Sequence, residues 1–160
     1  MKYPKIVKQV MFVCTGNAAR SVMGEYFMRK FLDDNKANGI KVISRGIAAN
    51  PAYKVPGHVM DILKKEGIDA GMHRSTMITP DSIEESDVLL VMEDQHKRVI
   101  AKYFPEAKGK VFFLTEYSGV ENPKYWEIDD PVGGDFDYYS RCAEQIRGCV
   151  TKIVQQLTAV

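Results

Sequence analysis

Short apolar segments alternate with segments of helical periodicity along this chain of 160 residues. The apolar segments end at turn residues and read as buried strands. Such an alternation is typical of a parallel sheet with helices on both faces. Strands are predicted at residues 10–13, 40–44, 87–92 and 110–114, and helices at 19–31, 58–68, 93–104 and 135–157, with a long connection over 115–134.

The pattern predicts an α/β fold with three layers, α/β/α, in a single domain spanning residues 1–160. The length suits one domain, and a hydrophobic content of 45% is enough for one core. Ligands of such sheets bind beyond the carboxyl ends of the strands. Cys14 lies where the first strand ends, so a functional site is expected there.

Composition and charge limit the classes of partner. A formal net charge of +1 gives no field for nucleic acid or an acidic membrane, and no apolar run is long enough to span a bilayer. No nucleic-acid and no membrane partner is therefore expected. Three cysteines do not form a disulfide framework, which predicts a reduced, cytoplasmic setting.

The segment between the first strand and the first helix, residues 14–20, carries more than a turn requires. The first N–H groups of a helix lack partners within it, and the helix dipole makes that end positive. In a loop of small residues, backbone N–H groups converge on one point and form a cradle for an anion. The residues predicted to bind substrate in this way are Thr15, Gly16, Asn17, Ala18 and Ala19.

Cys14 and Arg20 supply the predicted chemistry of this loop. The Arg20 guanidinium can bind two oxygens of a phosphate at once. The same positive field favours the thiolate form of Cys14, and a thiolate facing a bound phosphate is a nucleophile. Ser21 can donate a hydrogen bond to the sulfur and help it leave. An isolated cysteine is more often a small buried hydrophobe, but the flanking strand and helix favour the phosphate loop.

These residues carry a family resemblance. The run VMFVCTGNAARS followed by MGEYF resembles the phosphate loop of the low-molecular-weight protein-tyrosine phosphatases, which include bacterial protein-arginine phosphatases. The resemblance returns at VISRG, MHRSTMIT, DVLLVMEDQHKRVI and DDPVGGDFDYYSRCAEQI, and so covers nearly the whole chain. It implies a four-stranded parallel sheet with the phosphate loop after strand 1, a phosphocysteine intermediate, a phosphorylated protein as substrate, inorganic phosphate as product, and neither metal nor cofactor.

The resemblance also implies the remaining site residues. Asp130, directly before Pro131, matches the general acid that protonates the leaving group. Ser44 and His73 match a serine and a histidine that hold the loop through Asn17 and Ser21. Tyr53, in the loop after the second strand, can stack on a substrate ring. His58 and His96 show no partner pattern, and Cys142 and Cys149 are predicted to pack against the sheet.

Two substrates remain open on this scaffold, with phosphotyrosine preferred. The arginine-directed members resembled here carry Thr at the position of Ala18 and a Gly-Gly after the Asp-Pro. This chain has Val132-Gly133-Gly134 but lacks that threonine. Arsenate reduction is disfavoured because Ala19 replaces a frequent second cysteine and no cysteine lies between Arg20 and Arg141. A phosphate-binding module without turnover is disfavoured because nucleophile, anion clamp and candidate acid are all present.

Overall fold

The structure is a computed structural model that describes residues 3–159. Its centre is one sheet of four parallel strands: β1 (Gln9–Cys14), β2 (Lys41–Gly46), β3 (Val88–Val91) and β4 (Val111–Phe113). Their order across the sheet is β2-β1-β3-β4. The predicted α/β fold is confirmed.

The central strand β1 is buried along its whole length. Its side chains alternate between two apolar clusters: Val10 and Phe12 belong to one, and Met11 and Val13 to the other. Successive side chains of a strand point to opposite faces, so a strand covered on both faces becomes a continuous apolar run. This explains why VMFV shows no alternation of polar and apolar residues.

Six α-helices cover the sheet in two layers among the described residues. They are α1 (Arg20–Asp34), α2 (Gly57–Lys64), α3 (Pro80–Glu85), α4 (Asp94–Tyr103), α5 (Leu114–Ser118) and α6 (Phe136–Thr158). Apolar residues of α1, α2, α5 and α6 join the cluster around Phe12, whereas α3 and α4 contribute to the cluster around Met11. Within residues 3–159, none of the helices has the length and apolar character that a membrane span requires.

Two of these helices, α3 and α5, were not predicted. Both are too short for apolar periodicity to show. The start of α3 is fixed locally: Thr79 Oγ1 accepts from the backbone N–H of Ser82, and the backbone N–H of Thr79 donates to Ser82 Oγ. Helix α5 ends at Gly119, whose φ of 116° is left-handed. Leu114, assigned from the sequence to the fourth strand, begins that helix.

The carboxyl edge of the sheet holds the loop that follows β1. Cys14 is in register with Gly46 at the end of β2. A Cβ on Gly46 would lie 2.6 Å from the carbonyl oxygen of Thr15 and 2.9 Å from the backbone nitrogen of Asn17. A glycine is therefore required for the loop to pack against β2.

Candidate active site

A cleft of about 400 Å³ opens over the loop between β1 and α1. Cys14 lies at its base and is only 3% exposed. Asn17 adopts a φ of 55°, the left-handed conformation that asparagine tolerates and a tight loop requires. The cleft is lined by Cys14, Thr15, Gly16, Ala18, Ala19, Arg20, Tyr53, Lys54, Pro56, Asp130, Val132 and Tyr139.

A hydrogen-bond network leads from the segment around Thr76 to the Cys14 sulfur. The Asn17 amide is oriented by the backbone N–H of Thr76, which donates to Oδ1 at 2.9 Å. Its Nδ2 then donates to Ser21 Oγ at 2.8 Å and to Ser44 Oγ at 2.9 Å. The Ser21 hydroxyl hydrogen is left to be given to Cys14 Sγ, 2.9 Å away. Ser21 is thus placed to donate to the sulfur.

The other end of this network is a buried carboxylate. Ser44 Oγ donates to Glu25 Oε1 at 2.5 Å, and Arg29 Nη2 lies 2.6 Å from Glu25 Oε2. Glu25 is 5% exposed and lies on α1 one turn after Ser21. Ser44 therefore donates to Glu25 and accepts from Asn17, which links the carboxyl group to the loop.

Backbone carbonyls of the loop are held by the segment after α2. His73 Nε2 donates to the carbonyl of Asn17 at 2.9 Å. Ser75 Oγ donates to the carbonyl of Gly16 at 2.5 Å. With two carbonyls tied on the outside of the loop, its N–H groups are free to face the cleft. Asn17 itself is fully buried, and its side chain belongs to the supporting network rather than to the lining of the cleft.

Arg20 is 2% exposed and its guanidinium is fixed by three oxygens. Nη1 donates to the carbonyl of Ile128 at 2.8 Å and lies 3.2 Å from Glu93 Oε2. Nη2 lies 3.5 Å from Asp130 Oδ2. A buried guanidinium needs such partners. They hold the planar group beside Cys14 in an orientation that presents it to the cleft.

His96 is buried at the start of α4 and reaches the phosphate loop. Its Nδ1 accepts from the backbone N–H of Glu93 at 3.0 Å, so Nε2 carries the hydrogen and donates to Thr15 Oγ1 at 2.9 Å. Burial, together with the nearby Arg20 guanidinium, lowers the pKa of His96 to about 4. The neutral imidazole therefore bridges α4 and the loop. The sequence shows no partner pattern for His96, and the structure supplies its partners, Thr15 and Glu93.

The Glu93 carboxylate lies close to both the Arg20 guanidinium and the His96 imidazole. Burial by itself raises the pKa of Glu93, but a hydrogen bond from Gln95 and the charge of Arg20 outweigh it, so the pKa lies below its ordinary value. Glu93 stays ionised and balances the buried charge of Arg20.

Asp130 faces this cluster from the loop before α6. Its carboxylate accepts from the backbone N–H of Val132 at 3.1 Å and stays 43% exposed. Asp130 lines the cleft, whereas its neighbour Asp129 does not. Tyr53 also lines the cleft; it is 50% exposed, and its ring lies 3.5 Å from the position of a Cβ on Gly16. Tyr53 and Asp130 thus both line the cleft that holds the sulfur.

The other two cysteines are packed as predicted. Cys142 and Cys149 are buried on one face of α6, in the cluster around Phe12. Burial raises the pKa of the Cys142 thiol to about 12 and also raises that of Cys149. Neither is poised for nucleophilic chemistry. Within the described part of the chain, no group of three His, Cys, Asp or Glu side chains is arranged to hold a metal ion.

Sequence reasoning missed three residues of the site. Glu25 carries a signal, since it is a charged residue on the buried face of a helix, four positions after Ser21. Glu93 and His96 are spaced as the ends of a capping box directly after β3, at the same sheet edge as Cys14. The spacing indicates a helix start, but only the tertiary structure brings it to Thr15 and Arg20.

A parallel α/β sheet whose first strand ends at a buried cysteine, followed by a short loop and a helix that begins at a buried arginine, is the arrangement of cysteine-dependent phosphatases. The family model described as "Low molecular weight phosphotyrosine protein phosphatase" matches residues 9–160. The chain belongs to that family.

Relatives and solved structures agree with this assignment. The chain is 32% identical over 148 residues to a protein-arginine-phosphatase of Bacillus subtilis, which covers 92% of this chain and 95% of the relative. It is 32% identical over 126 residues, 79% of each chain, to a probable low molecular weight protein-tyrosine-phosphatase, EpsP, of Ralstonia solanacearum. A solved structure of the YwlE arginine phosphatase, a mutant with a phosphorylated active-site serine, superimposes with a TM-score of 0.86 at 31% identity and covers 93% of this chain and 95% of that one.

Proposed function

We propose that the chain hydrolyses phosphotyrosine in phosphorylated proteins through a phosphocysteine on Cys14. The observation that carries the proposal is the convergence of Cys14, Arg20 and Asp130 on one cleft at the carboxyl edge of the sheet. A phosphorylated active-site serine in a YwlE mutant supports covalent transfer to this loop. The proposal includes inorganic phosphate as product and a reducing, cytoplasmic setting.

In the first step the Cys14 thiolate attacks phosphorus and the P–O ester bond breaks. Arg20 and the backbone N–H groups of the loop bind the equatorial oxygens, where negative charge must be stabilised. Asp130, as the carboxylic acid, gives its proton to the leaving phenolate oxygen. The products are the dephosphorylated tyrosine and a phosphocysteine.

In the second step the Asp130 carboxylate takes a proton from water, whose oxygen attacks phosphorus. The P–S bond breaks and returns the thiolate. Ser21 donates to this sulfur and stabilises the charge that forms on it. His73, Ser44 and Glu25 keep the loop in the shape that both steps require.

Phosphoarginine is the second candidate, and two observations favour it. Besides the protein-arginine-phosphatase of Bacillus subtilis reported above, the chain is 31% identical over 150 residues to a protein-arginine-phosphatase of Geobacillus stearothermophilus. The loop after Asp130 presents the small Val132 to the cleft, followed by Gly133 with a left-handed φ of 84°. Ala18 in the cleft still favours phosphotyrosine, because the threonine of the arginine-directed members is absent.

The proposal is tested by comparing kcat/KM for matched phosphotyrosine and phosphoarginine peptides. We expect the phosphotyrosine peptide to be turned over faster by the wild-type chain, and neither peptide by Cys14→Ser. Asp130→Asn should lower kcat for phosphotyrosine by about 10²- to 10⁴-fold, because the proton for the leaving group is lost. The loss should be smaller for p-nitrophenyl phosphate, whose leaving group needs less protonation.

Asp129→Asn is the matched control for charge, since Asp129 does not line the cleft. Its kcat should stay within a few-fold of wild type. Equal losses for the two aspartate variants would remove Asp130 from the acid role. A faster phosphoarginine reaction would make the second candidate the function.

A further inference from the structure

A second cleft, of about 520 Å³, adjoins the catalytic one. Tyr53 and Lys54 line both, so the two clefts meet along this pair of residues. A polypeptide whose phosphorylated side chain enters the catalytic cleft can therefore continue into the second. Its lining consists of Pro51, Tyr53, Lys54, Val55, Met60, Ala70, Gly71, His73 and Arg74.

The second cleft has a positive rim. Lys54 and Arg74 are exposed, and neither appears in an ion pair among residues 3–159. The Arg74 side chain is oriented by Nη1, which donates to the carbonyl of His73 at 2.9 Å. None of the lining residues is acidic. Asp69 directly precedes the lining residue Ala70 in sequence, and its Oδ1 accepts a hydrogen bond from the backbone N–H of Gly71.

The loop before α6 brings the opposite charge to the catalytic cleft. Asp130 lines that cleft, and Asp129 and Glu127 are exposed just before it in the same loop. A substrate with an acidic side chain near the phosphoresidue is repelled by this loop and attracted toward Lys54 and Arg74. The two sets of charges thus set the direction in which such a substrate lies.

We propose that the second cleft binds an aspartate or glutamate side chain of the same phosphorylated polypeptide. The enzyme then selects phosphoproteins whose modified residue has an acidic neighbour. The carboxylate pairs with Arg74 and Lys54 at the rim, while the partly buried Val55 and Met60 contact its methylenes. This inference rests on the proposed function, because it places the phosphorylated residue over Cys14.

The test separates binding from turnover by using the Cys14→Ala variant, which has no nucleophile at that position and retains the clefts. Two phosphotyrosine peptides are compared, one with glutamates and one with lysines two residues before and after the phosphotyrosine. We expect the glutamate peptide to bind about 3- to 10-fold more tightly at low salt, the size of one or two exposed ion pairs, and the preference to shrink at high salt.

Adding Arg74→Glu to the same background should abolish or invert the ratio of the two dissociation constants. Adding Lys102→Glu makes the same change of charge on an exposed residue of α4, at the end of that helix remote from the cleft, and should leave the ratio unchanged. Because the ratio is taken within each variant, general effects on affinity cancel. A ratio near one before Arg74→Glu, or a ratio that Arg74→Glu leaves unchanged, would overturn the proposal, as would binding of neither peptide.

Hydrolysis of the two peptides by the wild-type chain tests the proposed function separately from the second cleft. Hydrolysis of both peptides without a preference in binding contradicts the second cleft and leaves the phosphatase intact. A binding preference without hydrolysis of either peptide contradicts the phosphatase and leaves the cleft.

Discussion

At the scale of single residues, one amide sets the direction of the hydrogen bonds beneath the cleft. The side-chain oxygen of Asn17 accepts a hydrogen bond from a backbone N–H, and its amide nitrogen donates to both Ser21 and Ser44. Ser21 then has its hydroxyl hydrogen left to give, and the Cys14 sulfur lies 2.9 Å away. A hydrogen bond to a charged group contributes about 1.5–3 kcal/mol. This bond matters most when the sulfur carries charge, which is before attack and as the P–S bond breaks.

Replacing Ser21 with alanine should therefore slow the breakdown of the phosphocysteine. We expect kcat for p-nitrophenyl phosphate to fall about 10- to 100-fold, because the departing thiolate loses its donor. Rapid-mixing measurements should show a burst of p-nitrophenol before the slow steady state. Ser86→Ala is the control, since Ser86 is a buried serine at the opposite edge of the sheet, before β3. A Ser21→Ala enzyme with wild-type kcat would show that the bond has no role in the second step.

At the scale of elements, the contact between α1 and β1 positions the loop. Gly24 lies on the face of α1 toward the sheet, and a Cβ there would sit 2.3 Å from Cδ1 of Phe12. Phe12 is fully buried in the middle of β1, within the apolar cluster under α1. The helix that carries Arg20 and Ser21 at its first turn can approach the strand this closely only with glycine.

Gly24→Ala should destabilise the protein by about 1–3 kcal/mol, as overpacking of a core does, and lower activity by displacing the first turn of α1. Gly148→Ala is the matched change on α6, where a Cβ meets nothing within 4 Å. It should be neutral or stabilise the protein by about 0.5–1 kcal/mol, the helix propensity of alanine over glycine. Urea unfolding of both variants gives the comparison. A similar stability of the two would mean that the Phe12 contact does not limit the approach of the helix.

The elements also show how far the sequence predicts this molecule. β1 and α1 are predicted because burial on two faces and an amphipathic stripe leave patterns in the sequence. The phosphate loop is predicted because Cys14, Gly16 and Arg20 stand together between a strand and a helix, where a nucleophile, a tight turn and an anion-binding group suit phosphate chemistry. Helices such as α3 depend on caps and neighbours and leave no periodic pattern. His96 illustrates the same limit, since its partner Thr15 lies 81 residues away in sequence.

At the scale of the whole molecule, segments far apart in sequence meet at one edge of the sheet. The loop after β1 and the loop before α6 line the cleft, while the segment around His73 and the start of α4 hold the loop after β1 from behind. Folding therefore buries Arg20 and His96 beside the partly buried Glu93. Charge balance in this cluster then links global stability to pH.

His96 should make the protein sensitive to acid. The folded chain holds its pKa at about 4, whereas the unfolded imidazole titrates near its ordinary value of 6.5. As pH falls through 6.5 the unfolded chain binds a proton that the folded chain does not, so stability is present above pH 6.5 and is lost toward pH 4. The groups facing the ring are Thr15, Glu93, Arg20 and Asp130. The free energy of unfolding that is lost through His96 approaches about 3 kcal/mol near pH 4.

His96→Gln removes the titration, while the glutamine amide retains a donor for Thr15. We expect its free energy of unfolding, measured with urea between pH 7 and pH 4, to fall less steeply than that of the wild-type chain, by up to about 3 kcal/mol over the range. Arg98→Gln, on a side chain of α4 that is 82% exposed, should keep the wild-type slope. Parallel curves for His96→Gln and the wild-type chain would show that His96 does not couple folding to pH. A flatter curve would show that this buried link between α4 and the phosphate loop limits stability in acid, and with it the pH range in which the cleft stays assembled.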